Sequence, residues 1–291
     1  MRCNVFAAGV SQLLIALVCL ADDTPRVFVL AGQALTAART QLQQQPSQFQ
    51  DAIEVLRNSA EEVMDRGPWS VMDKKLTPPS GDKHDYYSVG PYWWPNPNTP
   101  DGLPYVRHDG KVNPERNNFD SEGLDRTIDC TTALARAWYF TREAKYAERA
   151  ALLLRTWFLD PKTGMNPNLE YGQAIPGICD GRGIGIIDTT SMIGLVDSVG
   201  LLGDAPAWSQ TDQQALQAWF RDYLKWLQES KNGRDEDNTK NNHAVWYDAQ
   251  LASFALFVDN RDTARRVLSK VGPRRIATQI AADGRMPHEL A

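Results

Sequence analysis

The chain has 291 residues, a formal net charge of −5, and 42% hydrophobic against 23% charged residues. This balance excludes a disordered or low-complexity protein, and the length suffices for one large core or two small ones. The acidic total leaves no global basic field for nucleic acid, so an acidic polymer would have to be met by a local basic cleft.

Met1 to Ala21 reads as a secretory signal. Arg2 supplies the positive end, an apolar run follows from Val5 to Leu20, and Cys19-Leu20-Ala21 fits a small-x-small cleavage site before Asp22-Asp23. The run is short for a bilayer span and lacks a basic stop-transfer flank. The mature chain, residues 22–291, is expected to be one domain, periplasmic or secreted, monomeric and free of the membrane; no later stretch reads as apolar enough to span. After cleavage only Cys130 and Cys179 remain. They either pair or stay as buried thiols, and with no CxxC there is little case for thiol redox chemistry or a cysteine-rich zinc site.

Helical periodicity dominates the rest. A first helix is predicted over 24–42 through Val27, Val29, Leu30 and Leu35, and Pro46 closes it. Ser47 can cap a second that runs to about Met64. After a long break, Asp120-Ser121 caps a helix whose face is Leu124, Ile128, Thr131, Thr132, Ala135, Trp138 and Tyr139. Further helices are predicted over 145–159, 186–202, from Ser209 through Leu227, over 242–258 and over 261–281, the last broken at Gly272-Pro273. Pairs of helices joined by short loops predict an all-α fold of stacked helical hairpins, with an (α/α) toroid as its closed form.

Two stretches interrupt the helices. Residues 67–118 hold much of the proline together with Tyr86, Tyr87, Tyr92, Trp93, Trp94 and Tyr105. A long insertion so rich in aromatics is expected to be ordered. Residues 161–185 carry Asn166-Pro167-Asn168, Gln173 and Gly181-Arg182-Gly183. Ordered polar-aromatic loops on a helical scaffold are where a site belongs.

The residue types suggest what such a site could do. Asn241, Asn242, His243, Trp246 and Tyr247 cluster at one helix start, where Asn242 and Trp246 share a face and so do His243 and Tyr247. A carboxamide beside an imidazole offers a neutral donor and a titratable base together. Asn241 could equally be a plain helix cap, and His243 a packed histidine. Tyr92, Trp93 and Trp94 suit the C–H faces of sugar rings, or simply pin the loop. Gln173, Arg182, Arg116 and Lys111 could meet a carboxylate, Arg182 best because it stands between glycines. His84, His108, Asp82, Asp85 and Asp109 invite a metal, but no metal-ligand spacing is present, so neither metal nor cofactor is expected. GxSxG and P-loop motifs are absent.

At these residues a resemblance enters. Tyr87-Ser88-Val89-Gly90-Pro91-Tyr92-Trp93-Trp94-Pro95, Asn113-Pro114-Glu115, the run from Gly177 to Asp188 and Asn241-Asn242-His243 resemble the bacterial alginate lyase domain family, most of all its glucuronan/alginate lyase branch, which is similar to periplasmic mannuronate lyases. The resemblance runs from about Ser59 to the end. It implies an (α/α) toroid with a cleft under a lid, and metal-free β-elimination on an anionic 1,4-linked uronic acid polymer. It implies that Asn242 and His243 stand at the uronate carboxylate as catalytic residues. Asn241, Trp246, Gln173, Arg182, Tyr92, Trp93 and Trp94 would then line the substrate. It also implies an arginine and a tyrosine beyond the histidine. Asp283 to Ala291 resembles the approach to that arginine, so a C-terminally truncated domain with an incomplete toroid is expected. An α/α glycoside hydrolase would instead need two facing carboxylates, for which Glu170, Asp180 and Asp188 are the candidates. A non-catalytic glycan-binding protein is the third alternative.

Overall fold

The computed structural model describes residues 24–289; the secretory signal read at Met1–Ala21 lies outside them. The chain is mostly helical, and its helices pack on one another. They are α1 (Gly32–Gln44), α2 (Gln50–Glu61), α3 (Ser121–Thr141), α4 (Ala144–Leu154), α5 (Met192–Leu201), α6 (Gln210–Glu229), α7 (Lys231–Asp237), α8 (Asn242–Phe257) and α9 (Arg261–Val271). This is the all-α toroid architecture expected from the periodicity. The predicted face of α3 is buried apart from a half-buried Thr132, and Leu216, Trp219, Phe220, Tyr223, Leu224 and Leu227 of α6 are all buried. Ser209 caps α6 reciprocally with Asp212, as its position foretold. Edge-on and tilted rings of Phe158, Trp219, Phe220, Tyr223, Phe254 and Phe257 join α6 to α8 in the core.

The chain departs from expectation where hydrogen bonding overrides periodicity. Residues 24–31 are not helical. The backbone N–H groups of Phe28, Val29 and Leu30 donate to the buried carboxylate of Asp197 on α5, at 2.7, 3.0 and 2.7 Å. Three such bonds anchor the segment to α5, bent at residues 28–30, and delay the helix to Gly32. Asp197→Ala removes all three and is expected to destabilise the fold by about 2–3 kcal/mol, read as a lower midpoint in thermal or urea unfolding. The predicted helix over 145–159 ends at Leu154 and widens into a π turn, Arg155–Leu159, where Arg155 forks onto Asp212. The 186–202 helix divides into a 3₁₀ segment, Gly183–Thr189, and α5. Residues 183–201 are long and apolar enough to cross a bilayer by length and composition, contrary to expectation, yet more than half of that stretch is buried inside the protein, as in a core helix. Cys130 and Cys179 are both free.

The aromatic insertion is ordered. It contains β1 (Tyr87–Val89), β2 (Trp93–Trp94) and β3 (Val106–Arg107), and β4 (Tyr171–Ala174) comes from the second interruption. β2 and β3 form a small antiparallel hairpin with Trp93 opposite Arg107. β1 and β4 pair in parallel, Tyr87 with Tyr171 and Val89 with Ala174. Two steps of β1 thus match three of β4, which is a bulge at Gly172-Gln173. At the base of the lid the buried Lys74 ammonium donates to the carbonyls of Val71 and Lys83, and pairs with Asp120 at the start of α3. Asp120 is thereby spent on Lys74 and on the N–H of Tyr87 and does not cap α3 with its side chain.

Candidate active site

The bulge sets the first layer of the site. Gln173 sits at φ 47°, a left-handed conformation uncommon outside glycine. Its N–H donates to Ser88 Oγ at 2.7 Å, and its side-chain amide donates to Asp188 at 2.8 Å. Asp188 also accepts from Ser88 Oγ at 2.6 Å and from the Tyr86 hydroxyl at 3.1 Å. Burial pushes the Asp188 carboxyl up, and those three donors oppose the shift. Arg182 lies over this layer, donating through Nε to the Gln173 carbonyl at 2.8 Å and through Nη2 to Gln173 Oε1 at 3.2 Å. Burial lowers the Arg182 guanidinium. Gln173 is therefore the support on which Arg182 rests, and its amide is fully engaged.

Gly90 brings the lid onto that arginine. A methyl group there would lie 2.6 Å from Trp93 Cδ1 and 2.8 Å from Arg182 Nη2. The indole and the guanidinium thus converge over one missing side chain. Trp93 is held by Asn113, whose amide donates to its carbonyl at 3.0 Å, and Trp94 donates to the Lys111 carbonyl at 2.9 Å. Tyr92 is exposed on the same strap.

On the far side of Arg182 the backbone passes directly beneath α7. A methyl group at Gly183 would stand 2.7 Å from the Asn232 carbonyl and 3.0 Å from the Glu236 N–H nitrogen. Gly181 is as tight, with a methyl there 1.9 Å from the Glu170 carbonyl. These glycines are demanded by close backbone approach, not by phosphate binding. The side chain of Glu236 is 1% exposed and meets His243 Nδ1 at 2.8 Å. Burial raises the Glu236 carboxyl, partly opposed by that bond. Its other oxygen has no hydrogen-bond partner among the described residues. A chain of contacts therefore runs from the lid through the Arg182 loop and α7 to the histidine.

His243 lies in the first turn of α8, whose cap is Asn241: its side-chain oxygen accepts from the His243 N–H at 3.3 Å. The capping alternative for Asn241 is thus realised. Asn242 and Trp246 are exposed on one face of α8, and the N–H of Asn242 donates to the Glu289 carboxylate. Tyr247 is buried, its hydroxyl donating to the Leu227 carbonyl at 2.7 Å.

Sequence reasoning missed Glu236, because no helix was predicted in the polar stretch between Leu227 and Asn242. The available signal was Ser230, which caps α7 by accepting from Gly233 N–H. Other flagged residues serve the scaffold. Asp82 and Asp85 accept from the Asn166 amide, and His84 Nδ1 bonds the Gly164 carbonyl. Among the described residues no group of three or more His, Cys, Asp or Glu is placed to hold a metal ion. Cavities of about 620 and 690 Å³ share no residue with the site; both involve Arg26 of the N-terminal segment.

The family model for alginate lyase matches residues 70–291. The chain is similar to a solved alginate lyase from Bacteroides ovatus, at 39% identity over 92% of this chain and 70% of that one, with a TM-score of 0.86. No curated protein matches the chain. With three quarters of its length under the family model, this chain belongs to the alginate lyase family and is a polysaccharide lyase.

Proposed function

We propose that the protein cleaves 1,4-linked uronic acid polymers, alginate or glucuronan, with Asn242 and His243 at the reacting sugar. In this β-elimination the C5 proton is removed and the electron pair forms a C4–C5 double bond. The C4–O4 bond breaks, and O4 leaves with a proton. The intermediate places a second negative charge on the uronate carboxylate, so preorganised donors there lower the barrier most. The exposed Asn242 amide would donate to that carboxylate, with His243 beside it neutralising charge or taking the C5 proton. The N-terminus of α8 already accommodates a carboxylate, that of Glu289, as a helix start favours. Arg182 would meet a uronate carboxylate under the indole of Trp93, with Tyr92 and Trp94 extending the platform and Trp246 flanking Asn242.

The observation that carries this reading is the chain of contacts from Trp93 and Arg182 at Gly90, through Gly183 against α7, to Glu236 and His243. A hydrolase is disfavoured because Asp188 is enclosed by Tyr86, Ser88 and Gln173. The buried tyrosines are also unsuited to proton transfer: burial raises Tyr86, Tyr223 and Tyr247, and their hydroxyls bond to protein groups. The leader read at Met1–Ala21 would deliver the chain to the periplasm or beyond, where such polymers lie, acting there as a monomer. Incubation with polymannuronate, polyguluronate and glucuronan should give ultraviolet absorbance from unsaturated uronate ends. New reducing ends without that absorbance would identify hydrolysis instead, and retention without turnover a binding protein.

A further inference from the structure

We propose that Glu236 is a positioning residue that accepts a hydrogen bond from the Nδ1–H of His243, leaving Nε2 as the nitrogen presented to substrate. The inference rests on the reading of His243 as the group that faces the uronate. Its basis is geometric. The Nδ1–Oε1 separation is 2.8 Å, with the carboxylate side chain 1% exposed and the ring 20% exposed. The acid lies inside and the ring reaches outward, so the second ring nitrogen is the one free to work.

A carboxylate is costly to bury, and most are repaid by several hydrogen bonds. Among the described residues Glu236 has one, to His243, and its Oε2 meets no partner. Asp197, by contrast, is buried and collects three backbone donors in a plainly structural role. A buried acid spent on a single part-exposed imidazole marks a group that acts through that ring.

The carboxylate is also held in place from several sides. Ser230 caps α7, and Asn232 donates to the Glu170 carbonyl at 3.2 Å. Gly183 lets α7 seat against the Arg182 loop. Arg275 grips the next residue, Asp237, through both its carbonyl and its side chain, at 2.9 and 2.7 Å. With Nδ1–H donated to Glu236, ring rotation would break the bond, so one tautomer and one orientation are selected together.

Nitrogen-15 NMR of the histidine rings reads the tautomer directly, with His243 assigned among the 4 histidines by the signals lost in His243→Ala. In the native chain, with the ring neutral, Nδ1 should be the protonated nitrogen and Nε2 the bare one. In Glu236→Gln the amide N–H can face Nδ1, and the ring should shift to the Nε2–H form. The variant should lose roughly 10²-fold in kcat, the scale of one displaced acid–base group, with KM within about twofold of the native value. A native ring protonated at Nε2 overturns the proposal, and so does a folded Glu236→Gln that keeps kcat within about twofold. If Glu236→Gln fails to fold, the native tautomer alone decides. If the native chain releases no unsaturated uronate, the elimination reading fails on its own, and the tautomer still judges Glu236.

Discussion

His243→Ala should lower the initial rate of unsaturated-uronate release by about 10²–10⁴-fold, the range for loss of a positioned proton-transfer group. Little of that loss should come from unfolding. The ring is part-exposed, and the partner it leaves behind, Glu236, is a carboxyl already raised by burial. Deprived of its partner, that acid will take up a proton instead of remaining charged in the interior. Asn242→Ala should act in the same direction with even less structural cost, since its side chain is exposed. Asn242→Asp should be worse than alanine, because it sets a like charge against the substrate carboxylate. Native rates in both alanine variants, measured on whichever polymer the chain cleaves, would remove Asn242 and His243 from the chemistry.

The largest stability effect is expected at Arg275. Its guanidinium forks onto Asp248 of α8 at 2.7 and 3.0 Å and reaches Asp237 at the end of α7. The Arg275 and Asp248 side chains are 4% and 8% exposed. Arg275→Met leaves Asp248 buried without its cation, which should cost about 3–5 kcal/mol in denaturant unfolding. Adding Asp248→Leu should recover much of that loss, because a buried ion pair can be exchanged for apolar packing at little net cost. Asp237 would not be stranded, since Arg274 still bonds it at 2.6 Å. The single variant should also lower kcat, because the clamp ties together the two helices that carry Glu236 and His243. If Arg275→Met melts as the native chain does, this cluster does not hold α7 and α8 together.

The helices that bury one continuous apolar stripe were legible in the sequence. α3 and α6 have the expected faces, and α8 and α9 the expected starts. What periodicity could not reveal is set by long-range hydrogen bonds. Asp197 unwinds residues 28–30 from a distance of about 170 positions in sequence. No local pattern announces such a contact. The site divides the same way. Asn241, Asn242, His243 and Trp246 stood out because they cluster within one turn and a half of helix, and Arg182 because glycines flank it. Gln173 read as a substrate contact, yet the bulge turns its amide inward to Asp188 and Arg182. Glu236 stayed hidden because α7 is a single short helix of polar residues, whose one inward face depends on Gly183 and the Glu170 carbonyl from elsewhere.

The bare α-carbon of Gly90 carries a consequence for anyone reshaping specificity. A β-carbon there would press on the Trp93 indole and the Arg182 guanidinium at once, so the seats of stacking surface and cation depend on the same vacancy. Any side chain at that position pushes both away together. Under the proposed reading, sugar preference is expected to be tuned at the exposed rim, at Tyr92 or Arg107, where a side chain can change without crowding that vacancy.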